Sequence, residues 1–322
     1  MAINYKQKHL FQTEPWGQLQ QALGKKIVSR QGPGWSYQAL IGPSPGKIGR
    51  YVKAVYLPYG PTFDRPESLK MALDDVYQLA LTQKADQIMV EPYNIGSDYQ
   101  IEPTMGDYTQ VKDRQPTLTL ISDLSKPWEE VLLGMSKTNR YQWKYVERDQ
   151  LNFKITTNPD ELEDFFKMMT ETSKRTGAVF YGSNYYKTIV EVLAPLGLAG
   201  VAYGFHNGKK LVGSLFVDDK HASRRYYMYA GSYDSMRSIK YPLNAALVTF
   251  LQKDAQDKGL VSFDYFGVAP SDAPADHKWY GLSKFKRSLG GSDFATLGTW
   301  VREINKPKMA LVKLAQKMVR LV

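Results

Sequence analysis

Apolar residues recur along this chain with two spacings, one typical of helices and one typical of strands. Helical spacing behind Pro, Asn or Asp predicts helices at residues 16–23, 66–82, 127–148, 184–193 and 242–258, and one that begins after Asn158 or Asp160. Short apolar runs predict strands at residues 36–41, 51–57, 88–90, 118–121, 153–156, 199–206, 210–217, 223–230 and 261–266. Residues 93–113 are predicted to form a loop, and Asn207-Gly208 a hairpin turn.

This alternation predicts a mixed α+β (α/β) protein made of two successive halves. We expect one domain at residues 1–150, a second at 151–304 and a basic amphipathic helix at 305–322. The element order of the second half is that of a GNAT-type acyltransferase. The turn from Ser235 to Pro242, however, contains no glycine that would bring backbone amides close to a pyrophosphate, which argues against acyl-CoA as the donor.

The composition limits the classes of partner and ligand that we expect for this chain. The net charge of +10 favours polyanions such as nucleic acid, nucleotides or anionic membrane. The chain has no cysteine and only four scattered histidines, so we expect neither a metal site nor another cofactor. Its polar N-terminus and the lack of an apolar run of about 20 residues predict a cytoplasmic protein without a signal peptide.

The densest positive charge lies near the C-terminal end. From Lys284 to Val322 there are nine Lys or Arg and two Asp or Glu, a balance of +7. Gly290 and Gly291 interrupt this segment, a pattern that suits an anion-binding loop or, equally, a basic helix followed by a glycine stop.

Five motifs in order resemble the Fem (FemABX) transferases of peptidoglycan bridge synthesis over residues 10–304. They are Tyr56-Leu57-Pro58-Tyr59-Gly60-Pro61; Gln115-Pro116-Thr117 with Asp123-Leu124 and then Ser136-Lys137-Thr138 and Arg140; Arg175-Thr176-Gly177 with Tyr185-Tyr186; Tyr227 to Ser232; and Phe263-Asp264 with Gly267, Phe285-Lys286 and the paired glycines. The resemblance implies two GNAT-like domains side by side. No heptad insertion is present, so it matches the short members that have no helical coiled-coil arm.

The resemblance also implies an active site at Phe285-Lys286. A fixed ammonium from Lys286 would stabilise the oxyanion that forms when an amine attacks an aminoacyl ester, while Phe285 would pack beneath it or against the terminal adenine. A surface lysine and an ordinary core phenylalanine are the alternatives.

Four residues are candidates for binding the acceptor. Tyr181, Tyr185 and Tyr229 would line its site, although half-buried packing is equally compatible with tyrosines. Tyr181 and Gln18 fall where short family members place cations that grip phosphate. Since both are neutral here, we expect a lipid-linked precursor to be used better than a nucleotide-linked one.

Two groups of cations are candidates for tRNA contact. One is a helical stripe with spacing i, i+3, i+7 and i+11, beside Trp143, and the other precedes the helix at 242; they are Lys137, Arg140, Lys144 and Arg148, and Arg237 and Lys240. A solvated face is the alternative for both groups.

The C-terminal helix has an apolar and a basic face. Leu311, Leu314, Ala315, Met318 and Val322 share the apolar face, which we expect to pack on the protein or to rest on anionic lipid, and Lys313, Lys317 and Arg320 share the basic one. Taken together, these features predict an aminoacyltransferase that moves an amino acid from aminoacyl-tRNA to an amine of a peptidoglycan precursor. The alternatives are an acyl-CoA-dependent N-acyltransferase and a non-catalytic tRNA-binding protein.

Overall fold

The computed structural model describes residues 8–44, 48–93, 100–148, 151–238 and 243–320, and the chain divides into two compact units. Residues 118–294 form the central unit, whereas residues 5–117 and 295–322 form the terminal unit.

The strands and α-helices are numbered in chain order. The strands are β1 (Lys26–Gly32), β2 (Trp35–Pro43), β3 (Lys53–Leu57), β4 (Thr62–Phe63), β5 (Gln87–Val90), β6 (Thr109–Val111), β7 (Leu118–Asp123), β8 (Asn152–Thr156), β9 (Ala199–His206), β10 (Lys209–Asp219), β11 (Arg224–Ser232), β12 (Ser262–Gly267), β13 (Ser292–Ala295) and β14 (Thr299–Glu303). The helices are α1 (Glu14–Ala22), α2 (Pro66–Thr82), α3 (Trp128–Leu133), α4 (Lys137–Arg148), α5 (Glu163–Thr176), α6 (Ser183–Leu193), α7 (Leu243–Asp257), α8 (Tyr280–Arg287) and α9 (Lys306–Arg320).

The terminal unit contains a sheet of order β1-β2-β3-β5-β14-β6, with β4 paired to β2. The parallel strands β3 and β5 are joined by α2, whose Leu69, Leu73 and Val76 enter the same apolar core as Val55 and Ile88. The helical spacing of those apolar residues is why residues 66–82 form a helix with one buried face.

The central unit contains a sheet of order β13-β7-β12-β11-β10-β9-β8. Its strands β11 and β12 are parallel and are joined by α7, which buries Leu243, Leu247 and Leu251 in the core. β7 pairs antiparallel with β12, so residues 118–123 are part of this sheet.

These pairings place the unit boundaries away from those we expected from sequence. The expected divisions were after residues 150 and 304, whereas the compact units change at residues 117/118 and 294/295. The reason is long-range strand pairing. β7 lies beside β12, and β14 lies between β5 and β6.

Other elements also differ from the predictions. The helix expected at 127–148 is broken into α3 and α4, and the Arg140 guanidinium donates to the Leu133 and Met135 carbonyl oxygens at the break. β6 lies within the stretch expected to be a loop. The remaining predicted helices and strands are present with small shifts at their ends.

The C-terminal helix packs on the protein, but not through the apolar face that we predicted. α9 packs through Met309 and Val312, which contact Val52, while Leu311, Leu314 and Met318 are exposed. Val322 lies outside the described residues. The helix has two apolar stripes, and sequence periodicity alone does not say which of them packs against Val52.

Arg225 on β11 is fully buried and crosslinks three elements of the central unit. Its Nε and Nη2 atoms lie 2.7 and 2.8 Å from the two carboxylate oxygens of Asp218 on β10. Its Nη1 atom lies 2.6 Å from Asp254 and 3.1 Å from the Leu251 carbonyl oxygen, both on α7. The guanidinium also stacks over Phe216. Each charge in this network is therefore compensated.

We predict that Arg225→Met lowers the free energy of unfolding by about 3–5 kcal/mol, because it leaves the buried Asp218 carboxylate without its partner. Urea denaturation measures this change. Lys187→Met, which removes an exposed pair with Asp160, is the matched control and should cost less than about 1 kcal/mol. Equal losses in the two variants would contradict the assignment of Arg225 as a buried crosslink.

Candidate functional site

Lys286 is a buried lysine near the C-terminal end of α8. Its Nζ atom donates a hydrogen bond of 2.7 Å to the carbonyl oxygen of Gly267, at the end of β12. Burial lowers the pKa of Lys286 to about 8, although the carboxylate of Asp264 acts in the opposite direction. The side chain is thus a desolvated amine that titrates close to neutral pH, and the surface alternative does not describe it.

The end of β12 is shaped to receive this lysine. The register with β7 is interrupted between Asp264 and Gly267, and Phe266 has a positive φ of 60°. The Asp264 Oδ1 atom accepts hydrogen bonds from the Phe266 amide at 2.8 Å and from Thr119 Oγ1 at 2.5 Å. Burial raises the pKa of Asp264, against the influence of Arg224. Asp264 therefore holds the irregular strand end whose carbonyl oxygen faces Lys286.

Two further residues of α8 fix the segment that follows β12. Ser283 Oγ accepts a 2.7 Å hydrogen bond from the Ala269 amide, and the Arg287 Nη2 atom donates one of 2.6 Å to the Ala269 carbonyl oxygen. Arg287 also pairs with Asp293 at 2.6 Å. We refer to these contacts, together with that of Lys286 to Gly267, as the α8 clamp. Phe285 is half-buried and packs against the core of the central unit.

Gly290 and Gly291 have a packing role. Both have positive φ, of 90° and 105°. A Cβ atom on Gly291 would lie 2.9 Å from the Ile121 carbonyl oxygen, and one on Gly290 would lie 3.3 Å from that of Gly134. Any side chain here would collide with backbone or strain the chain. The structure accounts for the paired glycines as the turn from α8 into β13.

Three of the four predicted acceptor-binding residues come together. The rings of Tyr181 and Tyr185 stack with centroids 4.1 Å apart, and the hydroxyl of Tyr229 lies 3.3 Å from that of Tyr185. Burial raises the pKa of both Tyr185 and Tyr229, so both hydroxyls stay neutral. Tyr181 is 60 % exposed. We refer to Tyr181, Tyr185 and Tyr229 as the tyrosine cluster. Gln18 is exposed on α1 of the terminal unit.

A cavity of about 790 Å³ opens beside this cluster. It lies between α5 and the segment leading into α6. Its walls include the aromatic residues Phe166, Phe180, Tyr181 and Tyr186. The charged residues of the lining are Lys167, Lys174, Glu163 and Glu171. The cavity thus offers flat aromatic surface with two cations and two carboxylates, which suits a sugar or peptide better than a densely charged group.

Only part of the predicted cationic stripe is free to contact tRNA phosphates. Lys137 and Lys144 are exposed on α4, whereas the Arg140 guanidinium donates to backbone carbonyl oxygens. Trp143 packs edge-on against Trp128. The side chains of Arg148 and Arg237 and the whole of Lys240 lie outside the described residues.

Sequence reasoning missed the strand-end carbonyl of Gly267 and the part played by Arg287. A backbone carbonyl acceptor cannot be recognised from the residue type. Arg287 was one of nine Lys or Arg residues from Lys284 to Val322, and no motif distinguished it. Within the part of the chain that the structure describes, no group of three or more His, Asp or Glu residues could hold a metal. None of the described helices is both long and apolar enough to cross a membrane.

The family model described as an acetyltransferase (GNAT) domain matches residues 135–287. No curated protein has a matching sequence. The crystal structure of FemX has a TM-score of 0.80 and 18 % identity, covering 97 % of this chain and 98 % of that chain. The C-terminal domain of a putative lysylphosphatidylglycerol synthetase from Agrobacterium fabrum has a TM-score of 0.59 and 13 % identity, with coverages of 97 % and 93 %. A tandem GNAT protein from the clavulanic acid biosynthesis pathway has a TM-score of 0.51 and 10 % identity, with coverages of 87 % and 83 %.

These similarities confirm, at the level of the fold, the resemblance to Fem transferases that the five motifs indicated. The GNAT match spans the segment from the break before α4 to the end of α8, and it therefore contains Lys286 and the tyrosine cluster. The chain accordingly has the fold of FemX with its GNAT-like domains, and its residues 135–287 match the model of an acetyltransferase (GNAT) domain.

Proposed function

We propose that this protein is an aminoacyltransferase that moves an amino acid from aminoacyl-tRNA to an amine of a peptidoglycan precursor. The observation that carries the proposal is the buried Lys286 amine in a chain with the FemX fold from end to end. A GNAT-type domain supports acyl transfer in general. The net charge of +10 supports a polyanionic donor, and the cytoplasm is where we expect the protein to meet charged tRNA.

The chemistry needs a cation more than it needs a base. The acceptor amine attacks the ester carbonyl carbon, and the carbonyl oxygen becomes an oxyanion. When the bond to the ribose oxygen breaks and the amide forms, the nitrogen gives up one proton and the ribose oxygen takes one up. An ammonium held by a backbone carbonyl in a dry site stabilises both developing negative charges. With a pKa of about 8, Lys286 is mostly protonated at pH 7 and can also return a proton to the leaving oxygen.

The acceptor site supports a precursor bound mainly through sugar or peptide. The tyrosine cluster offers aromatic surface and neutral hydroxyls, and Tyr181 carries no charge for a pyrophosphate. Charge-assisted hydrogen bonds are roughly twice as strong as neutral ones. We therefore expect a lipid-linked muropeptide to be a better acceptor than a nucleotide-linked one.

An acyl-CoA-dependent N-acyltransferase is the second candidate. It is favoured by the GNAT family match and by the similarity to a tandem GNAT protein. The absence of glycine from Ser235 to Pro242 argues against it. The similarity to a lysylphosphatidylglycerol synthetase domain adds phosphatidylglycerol as a further acceptor to be tested.

One assay separates these functions. The protein is mixed with pools of charged tRNA or with acetyl-CoA, and with lipid-linked muropeptide, nucleotide-linked muropeptide or phosphatidylglycerol. Mass spectrometry then identifies the product. We expect an aminoacyl amide of the lipid-linked muropeptide from charged tRNA only. Acetylated product would establish the second candidate, and tRNA binding without any product would establish a non-catalytic role.

Lys286→Met tests the catalytic assignment. We predict that turnover falls about 10²–10³-fold, as it does when one oxyanion donor is lost. The wild-type rate should fall as the pH rises through about 8, because the ammonium is then lost, and the variant should lack this decline. Steady-state rates measured across pH check both points.

Stability measurements test the lowered pKa of Lys286 independently of the reaction. The pKa of Lys286 is lower in the folded chain than its ordinary value of 10.5, so the unfolded chain binds more protons between about pH 8 and 10.5. Wild-type stability should rise with pH in that window, and the rise should be absent in Lys286→Met. The exposed Lys284→Met on the same helix is the matched control for rate and stability. A normal rate in Lys286→Met would remove the residue from the mechanism.

The exposed lysines of α4 give a prediction about tRNA. Changing Lys137 and Lys144 to Gln should weaken tRNA binding and reduce the log–log salt slope by roughly one unit per lost phosphate contact. Binding titrations at several salt concentrations measure the slope. A double variant at the exposed Lys25 and Lys70 is the control for net charge. Equal slopes in the two double variants would mean that the α4 lysines only face solvent.

A further inference from the structure

α9 presents an apolar surface to solvent although it is firmly attached to the terminal unit. Leu311, Leu314 and Met318 are 69 %, 56 % and 56 % exposed. They follow one another at i, i+3 and i+7 and lie about 140–200° around the helix from the packed Met309. We call these three residues the outer stripe. Exposed apolar residues that are contiguous, unlike scattered ones, indicate a site of interaction.

The attachment of α9 keeps this stripe pointing outward. Met309 and Val312 pack against Val52 on one side of the helix. The Lys308 Nζ atom lies 2.7 Å from the Asp86 carboxylate, and the Lys313 Nζ atom lies 2.6 Å from Glu303. The stripe therefore needs no rearrangement to meet a partner.

The charges around the outer stripe indicate an anionic partner. Residues 306–320 contain five Lys or Arg and no Asp or Glu. Lys306 and Lys317 are exposed and border the stripe on the side of Lys313. An anionic lipid surface matches both features, because leucine and methionine enter the boundary between headgroups and acyl chains while lysines reach lipid phosphates.

A second copy of the chain fits less well. Two such helices facing each other would bring like charges together. Three side chains also fall well short of the roughly 800 Å² per partner that stable protein interfaces bury. Both arguments favour the lipid surface.

We propose that the outer stripe of α9 and its bordering lysines dock this protein on anionic membrane. The inference is independent of the proposed reaction, since vesicle binding requires neither tRNA nor acceptor. It does bear on that reaction, because a lipid-linked acceptor would lie in the same surface.

Co-sedimentation of the full chain with vesicles tests the proposal. Vesicles of phosphatidylcholine alone are compared with vesicles that also contain phosphatidylglycerol. We expect binding to the anionic vesicles only, and an at least tenfold lower affinity for the triple variant Leu311→Gln, Leu314→Gln, Met318→Gln. Leu133→Gln on α3, where the leucine is 67 % exposed, is the matched control and should bind as the parent does.

The lysines provide a second, independent variant. Lys306→Gln with Lys317→Gln should weaken binding to anionic vesicles and reduce its salt dependence. Melting temperatures are expected to equal that of the parent in both variants, because the changed side chains are exposed. Unchanged vesicle binding in the two variants would overturn the proposal. So would a parent dimer, seen by light scattering, that the triple variant dissociates.

Discussion

The α8 clamp is the constraint on which the candidate active site depends. A strand end with an interrupted register would leave carbonyl oxygens of Gly267 and Ala269 without partners, and buried polar groups without partners are costly. Lys286 and Arg287 satisfy them from one turn of helix. The same contacts hold the Lys286 amine in a desolvated position. The contacts that satisfy this strand end therefore also place the Lys286 amine for the proposed reaction.

Burying a lysine in this way disfavours its charged form, and the depressed pKa of Lys286 reports that cost. Arg225 represents the opposite case, because two carboxylates and a carbonyl oxygen surround its guanidinium. One buried cation is compensated and crosslinks the sheet to α7, whereas the other is left short of partners. Perturbed groups of the second kind concentrate at functional sites.

The two units contribute different surfaces to the proposed activity. The central unit holds the Lys286 amine, the tyrosine cluster and the exposed lysines of α4. The terminal unit carries α9 with its outer stripe. A transferase that draws one substrate from tRNA and another from a lipid surface needs both kinds of surface, and the segments that supply them lie in different parts of the chain.

The sequence by itself determined most helices, most strands and the two-part α+β organisation, because apolar periodicity is a local property. It also singled out Lys286 and the tyrosine cluster through motifs. Only the tertiary structure decided that β7 and β14 join sheets far from them in sequence, since strand pairing is a long-range choice. It alone decided that Gly290 and Gly291 serve packing and that Arg140 binds backbone. It also turned Leu311, Leu314 and Met318 outward. A helix with two apolar stripes can bury either one, and only the surface around Val52 selects between them.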